Sequence, residues 1–492
     1  MKYLKSLFAS ALVILFGSAY AQNPFGLPEN ISQGNILHCF DWKFNDVKNA
    51  LPDIAEAGFV AVQVSPTQAA SKSGYNWSNL YRPYDFDFYE AGLGTESQLQ
   101  TLCEEAEKYG IKIVVDVVFN HVDNSGYHNS WWNSNGRLRS TTAYVNYNNR
   151  TSITSDRIGS YPEVNTEQTE VIARAKAYIQ KLHDLGVRGI RFDAAKHIAL
   201  PSEGSPFWKE VTSIPDMFYY GEILDTPGGS NATTLMKEYT EYMFVTDDSY
   251  SRTVRSNAGV PSASGNWVGR GIDGSKLVLW GESHDEFANE GGATKNTKEA
   301  TIDRAYANVA SRNNGIALYF SRPAKSSYSD IRVGQKGSTR FMEPQVAEVN
   351  KFKNAMVGKE EYYSRNSSGS AAVISRKDGG AVIINRSGAG SVDVPNSNSY
   401  CPVGIYKDRV SGNEFTVTAT NITGTVGESG IAVIYASNNE TGVEDVTIDN
   451  EAFDLESAAW YTLQGVRVNR PTEKGIFIAV SPSGRTRKMV IR

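Results

Sequence analysis

Between about Asn35 and about Met356 the chain alternates short apolar runs with stretches of helical periodicity, and this alternation leaves few folds open. Eight runs read as strands: Ile36–Asp41, Phe59–Ser65, Ile111–Phe119, Gly189–Asp193, Met217–Ile223, Tyr242–Val245, Leu277–Gly281 and Gly315–Phe320. Several are apolar along their whole length, as parallel strands covered on both faces must be. Leu99, Leu102, Ala106 and Tyr109 recur at helical spacing over Thr95–Tyr109, and Gly110 stops the run. Val171, Ala175, Tyr178, Ile179 and Leu182 do the same over Glu167–Leu185, before Gly186. Eight strand–helix units predict an α/β fold, a (β/α)8 TIM barrel.

One connection exceeds the usual length. Residues Val122 to Asn165, rich in Asn, Ser, Tyr and Trp, separate the third strand from its helix, and connections of that size are usually functional or form a subdomain. Past about Lys359 the pattern changes to short strands between Gly, Ser and Asn turns: Ala371–Ser375, Ala381–Asn385, Ser391–Val394, Gly404–Lys407, Glu414–Thr420 and Ile431–Ala436. These predict an antiparallel β-sandwich. Ala459–Leu463, Gly475–Val480 and Lys488–Ile491 predict a last small β module. At the other end Lys2 and Lys5 precede the apolar run Leu7–Phe16 and the small-x-small site Ala19-Tyr20-Ala21, the pattern of an export signal. The expected boundaries are a signal peptide over 1–21, the barrel over 22–358 with its insertion over 122–165, the β domain over 359–436, a linker over 437–441 and the C-terminal module over 442–492.

The net charge of −5 forms no basic stripe, which argues against a nucleic-acid partner. No later segment approaches the length of a membrane span. Cys39, Cys103 and Cys401 lie in core-like runs and fit buried thiols better than a disulfide framework. Tyr and Trp gather in the turn-rich stretches Ser73–Tyr89 and Tyr127–Tyr147. There they suit either stacking on the apolar faces of sugar rings or plugging of the core's rim.

Four stretches end the third, fourth, fifth and seventh strands, at the face where barrel enzymes hold their active sites. They are Asp116–His121 (D-V-V-F-N-H), Gly189–His197 (G-I-R-F-D-A-A-K-H), Tyr219–Leu224 (Y-Y-G-E-I-L) and Trp280–Asp285 (W-G-E-S-H-D). Arg191 and Asp193 are two apart and share a strand face, so the Arg is expected to keep the Asp ionised. Glu222 stands alone in an apolar strand, where its pKa should rise as a general acid requires. Taken singly, each stretch also fits a structural part: a turn-forming strand end, a buried ion pair, a rim Glu with a structural partner, a solvated loop. Together they bring three carboxylates and two histidines to one face. Neighbouring strands about 4.8 Å apart suit the spacing of about 5–5.5 Å between the two carboxyl groups of a retaining glycosidase.

These four stretches, in this order, resemble the conserved regions of the α-amylase family of glycoside hydrolases, over roughly Asn35 to Ala436. The resemblance implies that Asp193 is the nucleophile, Glu222 the acid/base and Asp285 the third carboxylate, which holds sugar hydroxyls. It implies that Arg191 orients Asp193, that His121 and His284 bond the same sugar ring, and that Tyr81, in L-Y-R-P, stacks on it. Lys196 and His197 are similar to the pair that meets the reducing-end side in α-1,4-acting members, and Phe59–Pro66 resembles the family's second strand. The implied function is endo-acting, retaining hydrolysis of α-1,4-glucosidic bonds in starch, glycogen or maltodextrins. Transglycosylation on α-glucans and non-catalytic α-glucan binding are the alternatives.

Two departures bear on ions. Ser283 replaces the Asn that is a chloride ligand in chloride-activated members, so chloride is not expected. Glu163, in Y-P-E-V, replaces an Asp that often binds calcium. Asn120, Glu163 and the His197 carbonyl still offer an oxygen-rich set suited to Ca2+. The last 50 residues, with Tyr461–Val468, Lys474–Ile478 and the basic Lys488 and Arg492, resemble type IX secretion sorting domains, which implies a secreted or surface-attached protein. The expected partner is an α-glucan polysaccharide or oligosaccharide, and the expected state a monomer.

Overall fold

The computed structural model describes residue 23 and residues 25–70, 74–262, 266–289 and 291–436, and in the C-terminal stretch 457–462, 467–471, 475–481 and 486–491. The signal peptide and linker expected over 1–21 and 437–441 lie outside the described residues. The chain forms two compact units, divided after Ala436.

In the first unit eight parallel strands close into a barrel in chain order. They are β1 (Ile36–Cys39), β2 (Ala61–Val64), β3 (Lys112–Val118), β4 (Gly189–Asp193), β5 (Phe218–Gly221), β6 (Phe244–Thr246), β7 (Leu277–Trp280) and β8 (Ile316–Phe320). The helices that follow them are α1 (Phe44–Glu56), α2 (Glu96–Lys108), α3 (Thr169–Asp184), α4 (Phe207–Val211), α5 (Ala232–Tyr242), α6 (Asp248–Ser256), α7 (Glu299–Ala310) and α8 (Pro344–Ala355). Every residue of β1, β2, β7 and β8 is buried, which is why these strands read as unbroken apolar runs rather than alternating ones. α2 starts on a reciprocal cap between Thr95 and Gln98 and ends before Gly110, whose φ of 77° a side chain would disfavour.

Strand ends differ from expectation where helices or turns intrude. Tyr242, expected in the sixth strand, ends α5; the buried Tyr239 one turn earlier donates its hydroxyl to the Ile198 carbonyl at 2.8 Å and holds that turn helical. The fifth strand stops at Gly221, so Glu222 stands just past its end. A Cβ on Gly221 would lie 2.4 Å from Met243 Sδ and 2.8 Å from Ala195 Cβ, so only glycine lets the chain through. The long connection after β3 contains only two short helical turns, Ser130–Asn133 and Arg150–Ile153, and isolated bridges such as Leu138 to Val164.

Behind the barrel lie two antiparallel sheets, one ordered β16-β11-β10-β9 and the other β12-β15-β14-β13. Their strands are β9 (Glu361–Arg365), β10 (Ala371–Arg376), β11 (Gly380–Asn385), β12 (Gly390–Pro395), β13 (Gly404–Lys407), β14 (Glu414–Val417), β15 (Asn421–Val426) and β16 (Ile431–Tyr435). Val373, Ile383, Phe415 and Ile434 fill the space between the sheets, while Ile374, Val382 and Val433 join the barrel's own core. β10 is therefore buried at every residue. The strand expected over Glu414–Thr420 is shorter than expected, and a strand not expected from the sequence follows it. β14 ends at Val417, and β15 carries Gly424 at a point where a Cβ would meet the Phe415 ring at 2.5 Å.

The second unit shows a four-stranded antiparallel sheet ordered β18-β17-β19-β20. Its strands are β17 (Ala459–Thr462), β18 (Arg467–Val468), β19 (Gly475–Val480) and β20 (Thr486–Ile491), and Trp460 is buried within it. Lys474 and Arg492 lie outside the described residues. Among the described residues no helix is long and apolar enough to cross a membrane. All three cysteines are free, buried thiols.

Candidate active site

Barrel register builds the centre of the site. Asp116 on β3 pairs with Arg191 on β4, and Arg191 with Tyr220 on β5. One step beyond the Phe192–Gly221 pair stand Asp193 and Glu222, and the Glu222 amide donates to the Phe192 carbonyl at 2.9 Å. Arg191 reaches all three carboxylates. Its Nη1 donates to Asp116 at 2.8 and 2.9 Å and to Asp193 Oδ1 at 2.6 Å, and its Nη2 lies 2.7 Å from Glu222 Oε1.

Arg191 pairs with Asp193 as expected, and barrel closure also brings Asp116 and Glu222 to it, a four-member cluster. The expectation of an isolated Glu222 is corrected: besides Arg191, its Oε2 accepts from the Ala194 amide at 3.0 Å. Ala194 supplies that amide from a left-handed turn, φ 50°, a strained conformation for a residue with a side chain.

One guanidinium does not offset the burial of three acids. Burial raises the Asp193 carboxyl to about 7, with Arg191 opposing and Glu222 and Asp285 adding to the rise. Burial raises Asp116 to about 8 against the pull of Arg191. Glu222 is raised for the same first reason, burial. The direction found for Glu222 is the expected one, and Arg191 pulls Asp193 down as expected, although burial and the neighbouring acids push the other way.

Asp285 approaches from another direction, in the short helix His284–Ala288. Ser283, at the position of the missing Asn, caps that helix: its Oγ accepts from the Glu286 amide at 3.3 Å, and Glu286 Oε2 accepts from the Ser283 amide at 3.1 Å. Asn289 donates to Asp285 Oδ1 at 3.1 Å. His284 Nε2 lies 3.5 Å from Asp285 Oδ2, but burial lowers His284 to about 3, so the contact is polar rather than an ion pair. Glu222, Arg191, Tyr220, His284 and Asp285 line one cleft.

Tyr81 stacks on His284, with ring centroids 5.4 Å apart at 14°, and its hydroxyl donates to Asp116 at 3.0 Å. His121 Nε2 bonds the Tyr81 carbonyl at 3.0 Å, and burial lowers this imidazole to about 4. Lys196 is buried, with Nζ on the Leu224 carbonyl at 2.8 Å, and His197 Nδ1 sits 2.9 Å from the Ile153 carbonyl. Every predicted site residue thus lies at the C-terminal end of the barrel, with Asn120 and Glu163 beside it.

Three residues escaped the sequence reading. Asp116 stands inside a motif but carries no role in it until the barrel closes. Arg150, from the inserted connection, ties that connection to the barrel. It donates to the Lys196 carbonyl at 2.6 Å, the Pro227 carbonyl at 3.0 Å, the Tyr239 hydroxyl at 2.9 Å and both Glu203 oxygens. Tyr147, half exposed, lies under the Lys196 ammonium at 4.8 Å. Arg150 and Tyr147 sit in a segment without periodicity, so only the aromatic richness of the stretch hinted at them.

Asn120 and Glu163 meet as a candidate cation site. Asn120 Nδ2 donates to Glu163 Oε2 at 3.1 Å, and Asn120 Oδ1 is buried without a partner. Burial raises Glu163 well above the usual carboxylate range. An orphaned amide oxygen beside a buried carboxylate fits a hard cation. Among the described residues no group of three or more His, Cys, Asp and Glu could hold a metal ion, so the remaining donors would be main-chain carbonyls, as expected of His197, or water.

Residues 41–153 match the α-amylase catalytic domain. A Clostridium acetobutylicum α-amylase is 32% identical over 88% of this chain and 58% of its own length, so the chain spans little more than half of that relative. Among solved structures, Eisenia fetida α-amylase I in complex with maltohexaose superposes with a TM-score of 0.65 at 18% identity, over 84% of this chain and 99% of its own. The γ-cyclodextrin glucanotransferase of the alkalophilic Bacillus clarkii superposes with a TM-score of 0.63 at 14% identity, over 94% of this chain and 83% of its own. At these identities the two structures share the fold.

Proposed function

We propose that this chain is an endo-acting, retaining hydrolase of α-1,4-glucosidic bonds in starch, glycogen or maltodextrins. The observation that carries the reading is the pairing of Asp193 and Glu222 through a single guanidinium from adjacent strands. This pairing suits the close carboxylate spacing of a double displacement better than the wider one that leaves room for water. Asp193 attacks the anomeric carbon while Glu222 gives its proton to the departing glycosidic oxygen. Glu222 then takes a proton from water, which opens the glycosyl ester and returns the Asp193 carboxylate. Asp285 accepts hydrogen bonds from sugar hydroxyls, and Tyr81 with His284 forms the aromatic wall beside them. In this reading Glu222 holds the proton it donates, and Arg191, hydrogen-bonded to Asp193, stabilises the attacking carboxylate.

Calcium, where bound, would fix the inserted connection to β3 through Asn120 and Glu163. Handing the same intermediate to a sugar hydroxyl instead of water gives transglycosylation, and the fold shared with a glucanotransferase does not separate the two outcomes. An exported location is part of the proposal and rests on Lys2 to Ala21 and on the sorting-like tail.

The test is reducing-sugar release from soluble starch, with dextran and pullulan in parallel, for wild type and Asp193→Asn, with and without a calcium chelator. Release from starch alone, lost in the variant, supports the proposal. Starch binding without release from any glucan overturns it in favour of a binding protein.

A further inference from the structure

We propose that Tyr161 is a positioning residue that holds the His121 imidazole against the sugar-binding end of the site. The inference rests on the hydrolase reading above. Tyr161 and His121 stack with centroids 5.1 Å apart and planes 22° from parallel. The Arg82 guanidinium lies over the Tyr161 ring at 5.6 Å. Arg82, Tyr161 and His121 come from three separate segments: the connection after β2, the insertion after β3, and the end of β3 itself.

His121 needs such a support. Among the described residues its imidazole makes one hydrogen bond, from Nε2 to the Tyr81 carbonyl at 3.0 Å, and its Nδ1 is buried without a partner. One hydrogen bond leaves an imidazole free to pivot about it, and a parallel ring against its face removes that freedom. Catalytic geometry tolerates little such freedom. The opposite wall repeats the device, since Tyr81 stacks on His284. Because His121 bonds the Tyr81 main chain, the two tyrosine–histidine stacks form one continuous support. The main chain reinforces it, since His121 bridges Glu163, two residues beyond Tyr161. The Y-P-E-V stretch thus carries a second role beside the cation site, and the ring of Tyr161, not its hydroxyl, performs it.

The test is a double-mutant cycle on the full chain in calcium-containing buffer: wild type, Tyr161→Ala, His121→Ala and the double variant, with Tyr161→Phe as the ring-preserving control. Maltoheptaose is the probe, kcat and KM are measured separately, and its affinity is measured by calorimetry. Tyr161→Ala is expected to lower kcat/KM about tenfold, the scale of one aromatic stacking contact. Tyr161→Phe should restore it to within about twofold, and in the His121→Ala background Tyr161→Ala should change it less than about twofold. Additive effects, or failure of Phe to rescue, would overturn the positioning role. If wild type binds maltoheptaose without turnover, the hydrolase reading fails, and the same cycle read in affinity still decides whether Tyr161 acts through His121.

Discussion

At the N-terminal end of the barrel, Asn35 and Asn350 have both their amide donors and acceptors partnered. Asn35 bonds the Ala310 carbonyl, the Ala317 amide and Asn350, while Asn350 also takes the Tyr306 hydroxyl and reaches the Ala57 carbonyl, all within 2.6–3.2 Å. Toward the C-terminal end, His38, Asp41, Asn120 and His121 each keep a buried polar atom without a partner, and three acids share Arg191. A satisfied buried network holds a fold together, whereas unsatisfied groups and crowded like charges cost stability and persist where a ligand or reaction uses them. The Asn35–Asn350 network therefore adds stability at one end of the barrel, while the shared-cation carboxylate cluster costs some at the other.

Substitutions at the two ends should separate activity from stability. The largest effect belongs to the C-terminal end: Glu222→Gln should lower kcat on starch by about 10²–10⁴-fold, the range of a lost general acid, with starch affinity retained. Comparable turnover would remove Glu222 from the chemistry. Next, Arg191→Met leaves three buried carboxylates without their cation, and denaturant melts should show a loss of about 3–5 kcal/mol. At the N-terminal end, Asn350→Ala strands the Tyr306 hydroxyl and the Asn35 amide, and should cost about 1–3 kcal/mol. Its turnover per folded molecule should match wild type, and a fall in that number would mean the two ends are not independent.

The smallest effect has a sign that is easy to test. Folding raises the Asp193 carboxyl to about 7, so between its unfolded value near 4 and about 7 the folded state binds the extra proton. Stability at this site falls as pH rises across that window and stays low above it. Asp193→Asn should therefore raise Tm at pH 8, by about 2–4 °C per kcal/mol recovered, and the gain should vanish near pH 4. A variant that loses Tm at pH 8 would mean that Asp193 stabilises the fold.

How much was legible follows from the same division. Arg191, Asp193 and Glu222 were readable because a strand fixes side-chain direction by alternation, and parallel register then brings neighbours together. Fully buried strands alternating with helical periodicity announced the barrel. Asp116 was visible as a residue but not as a partner, since its link to Arg191 exists only after β3 and β4 pair. Arg150, Tyr147 and Tyr161 lie in a connection whose path is set by tertiary contacts, and nothing in its spacing tells which aromatic ring faces which histidine. The strand over Asn421–Val426 was not read from the sequence, and its Gly424 sits mid-strand where a Cβ would meet the Phe415 ring.

The central claim is that Asp193 and Glu222 act as a close pair performing a double displacement. It is tested most directly by the configuration of the product at the moment of cleavage. Proton NMR of fresh maltoheptaose digests should show the α-anomer appearing first, with the β-anomer growing in only as the sugar mutarotates. The β-anomer appearing first would mean a single displacement by water and would contradict the assignment of Asp193 as nucleophile.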